Sequence, residues 1–326
     1  GSSGSRLTTG GTFIASELEK RLADFKHSES ALVFNTGYMT NLGVLYGLLQ
    51  TGDVVFSDEL NHASIIDGCR ISRCKVVVYK HNDMADLQRL LETEIVTGQR
   101  FIVTDGVFSM DGDIADLPSL AVLKKQFNAF LIVDDAHGVG VIGNDGSGTA
   151  SHYGLTDVID LQVGTLSKAL AAEGGYVAGK KILIDYLINR SRPFIFSTAL
   201  APATLAAANA ALLLLQTQAS KYLDSLRANS RLMRRLLLEG GLNVVEGITP
   251  IIPVVIGEAG LTMQFADRLK SKGILVSGIR PPTVPRGESR LRITVTAAHC
   301  EEQLRQAAQI ITALWQELKH GEKKEG

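Results

Sequence analysis

The sequence predicts an α/β protein, in which a larger domain is built on a mostly parallel sheet flanked by helices and a smaller α+β domain follows. Three observations carry this. Short apolar runs alternate with helical patterns at the rhythm of parallel βαβ units. Two of those runs stop abruptly at acid, imidazole or lysine, and open α/β sheets bind ligands beyond the carboxyl ends of their strands. From residue 203 the alternation gives way to one long helical stretch, and the division between domains is placed at 219/220.

Composition admits this architecture. A chain of 326 residues is long enough for a substantial core and for two domains. Apolar residues make up 45% and charged residues 21%, as in ordinary globular proteins. Thirty-three basic and 34 acidic residues leave a net charge of −1, which argues against nucleic-acid or membrane-surface binding through bulk charge. Cys69, Cys74 and Cys300 cannot all pair and lack zinc-ligand spacing. With no signal peptide visible, a reducing cytoplasm is the expected compartment. The longest apolar stretch, Ala199 to Leu215, contains Pro202, is short for a membrane span and reads as a buried helix.

Taken in order, Ile14 to Phe25 has apolar residues at helical spacing. Ala31 to Phe34 is a strand that ends in a turn at Gly37 and Tyr38. Such a turn, when it opens a helix, offers backbone N–H groups to an anion, although a turn alone is reason enough for a glycine. Strands are expected over Asp53–Asp58, Lys75–Tyr79, Arg100–Gly106, Leu131–Asp134 and the residues before Gly164, with a further one after Gly174. Helices are expected from Met84 and over Leu120–Phe127. The pattern over Ala203–Leu238 predicts a helix bridging to the smaller domain. There, strands are expected over Pro250–Ile256, Ile274–Ile279 and Arg290–Thr296, with helices over Phe265–Lys272 and Glu301–Leu318. The charged tail from Lys319 to Gly326 is expected to fray.

The chemistry concentrates at two strand ends. One carries Asp134, Asp135, Ala136, His137 and Gly138; the other carries Gly164, Thr165, Leu166, Ser167 and Lys168. Pyridoxal phosphate requires this set: a lysine to hold its aldehyde as a Schiff base and an acid beside its pyridine nitrogen. Lys168 and Asp134 fit those parts, and His137 would stand near the ring or its phenolic oxygen. Loops at strand ends are polar in any case, and spacing alone leaves both readings open. Gly138 to Gly143 also matches G-x-G-x-x-G, but loop sequence follows where a dinucleotide site needs a helix.

Four stretches settle the preference. The residues from Asp134 to Gly138, Gly164 to Lys168, Phe108 to Asp113 and Asn61 to Ser64 resemble, in order along the chain, the α-oxoamine synthases. These are fold-type-I pyridoxal-phosphate enzymes that condense an amino acid with an acyl thioester and release the amino acid's carboxylate. The resemblance implies a seven-stranded sheet and a homodimer with a shared active site. It implies that Gly37 and Tyr38 meet the cofactor phosphate, that His62 stacks on the ring and orients substrate, and that Ser109 and Thr165 contribute near the cofactor. The hydroxyl of Thr198 would reach the phosphate of the neighbouring subunit. Read locally, His62 could simply start a helix, and Thr198 could cap the helix before Pro202; Asp111-Gly112 could be plain turn chemistry.

In the smaller domain, Arg290 and Arg292 share one face of an alternating stretch, and a guanidinium there can clamp a carboxylate bidentately. The resemblance gives Arg292 the amino-acid carboxylate, while Arg290 reads as an exposed-face salt bridge. The loop Arg280 to Pro285, with Thr283 as the substrate residue, and the Asp135 to Gly138 stretch resemble the branch that uses L-alanine and a pimeloyl thioester. They match less well the branch that uses glycine and acetyl-CoA. Two departures bear on the entrance to the site: Ala15 stands where members often have histidine, and Gly11 where threonine is usual. Gly1 to Ser5 is either an expression-tag scar or native, and members carry several dozen residues before this point.

Overall fold

The computed structural model describes the backbone of residues 1–325 and the side chains of residues 1–319. The tail expected to fray therefore lies, beyond Lys319, outside the described side chains. The chain separates into two compact units: residues 1–108 with 114–219, and residues 109–113 with 220–326.

In the larger unit the elements are α1 (Phe13–Phe25), β1 (Ser30–Phe34), α2 (Gly37–Leu48), β2 (Val54–Asp58), α3 (Ala63–Ile71), β3 (Lys75–Tyr79), α4 (Met84–Thr93), β4 (Arg100–Asp105), α5 (Leu117–Gln126), β5 (Ala129–Asp134), α6 (Thr149–His152), β6 (Leu161–Thr165), β7 (Gly175–Gly179), α7 (Lys181–Arg190) and α8 (Arg192–Ile195). Helix starts follow local chemistry: Thr12, Thr36, Asp83 and Asp116 each cap the N–H three residues on. The seven strands form one sheet in the order β1-β7-β6-β5-β4-β2-β3. Only β7 opposes its neighbours, being antiparallel to β1 and β6; the remaining pairs are parallel. Strands β2, β6 and β7 are buried along their whole length and β4 and β5 at all but one residue, which is why the sheet reads as apolar runs rather than as alternation.

Helix α9 (Pro202–Glu239) departs from helical geometry at Gln218, beside the boundary between the units. Its first part corrects the expectation of a buried helix over 199–215. Leu205, Ala208, Leu212 and Leu215 enter the core, whereas Leu213 and Leu214 are 45% and 46% exposed. The apolar stretch is one-sided packing, and no helix among the described residues is long and apolar enough to cross a membrane.

The smaller unit holds β8 (Ile251–Gly257), α10 (Ala259–Ser271), β9 (Ser277–Ile279), β10 (Ser289–Thr294) and α11 (Glu301–Glu325). Its antiparallel sheet runs β8-β10-β9. Leu291 and Ile293 of β10 and Ile252 and Val254 of β8 face a core shared with Phe265 and Trp315, whose rings stack at 5.7 Å. The strand expected from Ile274 starts only at Ser277, because the Ile274 N–H is spent on the Leu269 carbonyl closing α10.

Candidate active site

Because β1, β2, β4, β5 and β6 run in one direction, their C-terminal ends lie along one edge of the sheet. Gly37 follows β1, His62 follows β2, His137 follows β5 and Lys168 follows β6. The edge thus gathers residues that are far apart in sequence.

Asp134 ends β5 and is buried. One carboxylate oxygen accepts the Ala136 N–H at 3.0 Å and the other accepts the Asn41 amide at 2.6 Å. Beside it in register stands Asp105, the last residue of β4, which accepts the His62 N–H at 3.0 Å. Burial pushes the Asp105 carboxyl well above the usual carboxylate range, the Asp134 charge adds to this, and the positive charge of Lys168 opposes it. Asp135 serves another purpose. It pairs at 2.9 Å with Lys26, both side chains being at most 1% exposed, and it accepts the N–H and hydroxyl of Thr149. One of the two adjacent acids faces the edge chemistry and the other anchors the strand end.

Lys168 is exposed, in a loop that closes tightly between β6 and β7. The Leu166 N–H meets the Gly174 carbonyl at 3.0 Å, the Ala172 N–H meets Leu166 at 2.8 Å, and Ala171 takes a positive φ of 48°. The Thr165 hydroxyl donates to the Gly174 carbonyl and accepts the Ser167 N–H. Glycine is needed where α2 meets these strands. A Cβ at Gly175 would stand 2.7 Å from the backbone of Gly37, and one at Gly37 would stand 3.3 Å from Thr165. The first turn of α2, led by the N–H groups of Gly37 and Tyr38, therefore seats directly on β6 and β7.

The other expected residues are placed as follows. His62 is exposed and is the N-cap of α3, its Nδ1 accepting the Ser64 N–H, so the helix-start reading holds. Tyr38 is exposed and its hydroxyl donates to Asp67, which pushes its pKa up. His137 is half-buried. Thr198 is exposed, forms a bridge with Ser5 and accepts the Asn35 amide on its carbonyl at 2.7 Å.

The G-x-G-x-x-G stretch folds back on itself, Gly140 N–H to Gly146 and Gly148 N–H to Ile142, with turns where a dinucleotide site needs a helix.

Ser109, Thr283 and Arg292 belong to the smaller unit. Arg292 is half-buried, which lowers its pKa, and its Nε donates to the Ser109 carbonyl. Thr283 is exposed. Arg290 corrects the exposed-face expectation: it is 4% exposed and ion-paired to Asp111 and Glu288. Asn41, Asp105 and Lys26 went unread in the sequence, and Ser64 entered only as the end of the Asn61 to Ser64 stretch. Asn41 alone carried a signal, a lone amide in an otherwise apolar helix.

These residues suit pyridoxal phosphate: an exposed amine, a buried carboxylate held by an amide and an N–H, and a helix N-terminus seated through glycine against a hydroxyl. Known proteins agree. The profile of the family Aminotransferase class I and II matches residues 1–311. An 8-amino-7-oxononanoate synthase from Lysinibacillus sphaericus is 51% identical across 93% of this chain and 78% of its own. One from Geobacter sulfurreducens is also 51% identical, across 98% of this chain and 82% of its own. The chain belongs to the 8-amino-7-oxononanoate synthase family. Among solved structures, the 8-amino-7-oxononanoate synthase of Francisella tularensis is 31% identical and superposes with a TM-score of 0.80, covering 95% of this chain and 88% of its own. A structure of SPT with PLP reaches a TM-score of 0.95 at 31% identity, covering 98% of this chain and 80% of its own. Members of the synthase family are pyridoxal-phosphate-dependent acyltransferases of fold type I, and the sheet described above is that fold.

Proposed function

We propose that the protein condenses L-alanine with a pimeloyl thioester, whether coenzyme A or carrier protein, to give 8-amino-7-oxononanoate, CO2 and the free thiol. Supporting this is the meeting of Lys168, Asp134, His62 and the α2 N-terminus along one sheet edge, together with the identity to synthases of that name. The glycine and acetyl-CoA alternative is not favoured.

Pyridoxal phosphate, when bound, captures an amino group and withdraws electrons from the bonds at the neighbouring carbon. The chain's residues would supply the rest. Lys168 would hold the cofactor through its amine and would be the base for the α-proton of alanine. Asp134, buried at the end of β5, would stand at the pyridine nitrogen and keep it protonated. The N–H groups of Gly37 and Tyr38 take the phosphate, with the Thr165 hydroxyl beside them. His62 would cover the ring, and His137 and Ser109 would be further contacts to the cofactor. Thr198 serves the site of a second copy in a homodimer. From the sequence resemblance we assign the amino-acid carboxylate to Arg292 and the acyl thioester to Thr283; the free cysteines support the cytoplasm as the compartment. Neither nucleic acid nor membrane takes part.

Borohydride reduction of the cofactor-loaded protein, followed by peptide mass mapping, tests the assignment. The pyridoxyl mass on Lys168 is the expected result; the label on any other lysine overturns it.

A further inference from the structure

Asn41, Ser64 and Asp134 are 2%, 1% and 6% exposed, and each belongs to a different element, α2, α3 and β5. The Asn41 amide nitrogen lies 2.9 Å from the Ser64 hydroxyl and 2.6 Å from an oxygen of Asp134. An amide carries two hydrogens, and both are spent here. The opposite amide orientation would turn a carbonyl oxygen toward a carboxylate. The Ser64 hydroxyl, which accepts from Asn41, lies 2.8 Å from His62 Nδ1. The Ser64 N–H is directed at the same Nδ1 at 3.3 Å. A ring nitrogen that receives an N–H acts as acceptor, so the Ser64 hydroxyl hydrogen points to it as well. Each hydrogen in the chain from Asp134 through Asn41 and Ser64 to His62 then has a single place. The ring proton of His62 is on Nε2.

We propose that Asn41 and Ser64 are positioning residues that act as one unit, fixing the His62 tautomer and the orientation of the Asp134 carboxylate together. The Asp134 charge orients the Asn41 amide, the amide orients the serine hydroxyl, and the hydroxyl selects which imidazole nitrogen carries hydrogen. His62 thereby presents an N–H donor at Nε2, which can meet an oxygen of a bound group and cannot accept its proton. Neither residue needs to touch the cofactor. Their effect on it rests on the pyridoxal-phosphate reading, whereas their effect on His62 does not.

Protein labelled with 15N-histidine separates the two. The His62 ring signals, assigned by their loss in His62→Asn, are recorded in long-range 1H–15N spectra with and without pyridoxal phosphate. In the unloaded wild type, the proton is expected on Nε2 and the acceptor signature on Nδ1. Ser64→Ala, close in volume to the original, and Asn41→Leu, which keeps the branching and removes both polar atoms, should shift His62 toward a mixture of tautomers. The signals of the exposed His27 should stay in place and report an intact fold. In the loaded protein, both variants should weaken cofactor affinity by about 10-fold, the lower end for an outer-shell partner, and move the cofactor's absorbance band. His62 carrying its proton on Nδ1 in the wild type, or unchanged His62 signals in both variants, would overturn the proposal. If Lys168→Ala leaves cofactor absorbance and affinity unaltered while the His62 tautomer responds as expected, the cofactor reading fails and the positioning unit stands.

Discussion

In the larger unit the polar groups stand at the ends of strands; in the smaller unit they stand in the middle of one. Asp105, Asp134 and Thr165 each close a strand that is buried over most or all of its length. Arg290 and Arg292 lie inside β10, alternating with Leu291 and Ile293, which are directed into the core. A parallel sheet covered on both faces leaves only its edge for chemistry, and there a polar residue after an apolar run has meaning. An antiparallel sheet with one open face alternates by construction, so an arginine that builds the fold and one that binds a ligand look alike.

The ion pairs differ in the same way. Lys26 and Asp135 are 0% and 1% exposed, whereas Arg290 at 5% shares Asp111 at 27% and Glu288 at 56%. Water can repair much of a loss at Arg290 but none at Lys26.

The largest expected effect belongs to the edge. Lys168→Ala should abolish turnover and covalent cofactor attachment while leaving stability within about 0.5 kcal/mol, because the side chain is exposed. A parallel loss of stability in urea titration would mean that the loop, not the amine, had been removed. Next is Lys26→Met, which strands a buried carboxylate and should cost about 3–5 kcal/mol. Arg290→Met should cost less, about 1.5–3 kcal/mol; equal losses by urea titration would break the contrast between the units. Gly175→Ala follows, at about 1–3 kcal/mol, since its Cβ would meet the Gly37 backbone at 2.7 Å. It should also weaken cofactor binding, measured by absorbance titration, if the α2 N-terminus holds the phosphate.

The smallest effect is a pH dependence. Burial raises the Asp145 carboxyl, but the Ser147 hydroxyl and N–H, His27 and Ser151 outweigh it and bring it down from 3.8 to about 2. The folded state therefore binds this proton less readily than the unfolded one. Its contribution is present above pH 3.8 and is lost as pH falls toward about 2. Asp145→Asn should remove that step from stability measured against pH and leave the profile above it flat.

Much of this was legible. The strand ends marked Asp134 and Lys168, and the apolar runs marked the sheet. What escaped did so for physical reasons. Helix α2 is apolar nearly all round because it packs on β6 and β7 and on neighbouring helices, so it shows no helical period. Helix α10 extends N-terminally from the expected helical stretch to Ala259, under a Glu258 cap, and glutamate is not a usual capping residue that would have marked that start. Lys26 looks like any lysine after a helix; only the fold brings it 2.9 Å from Asp135. Ser64 and Asp105 matter through partners supplied by other elements, which spacing along the chain does not display.

The most direct measurement is release of free thiol by the pyridoxal-phosphate-loaded protein with two substrate pairs, alanine with pimeloyl-CoA and glycine with acetyl-CoA. Turnover with the first pair alone is the predicted result. Turnover with the second pair alone would contradict the proposed function and show that the Arg280 to Pro285 loop does not select the acyl group as read here.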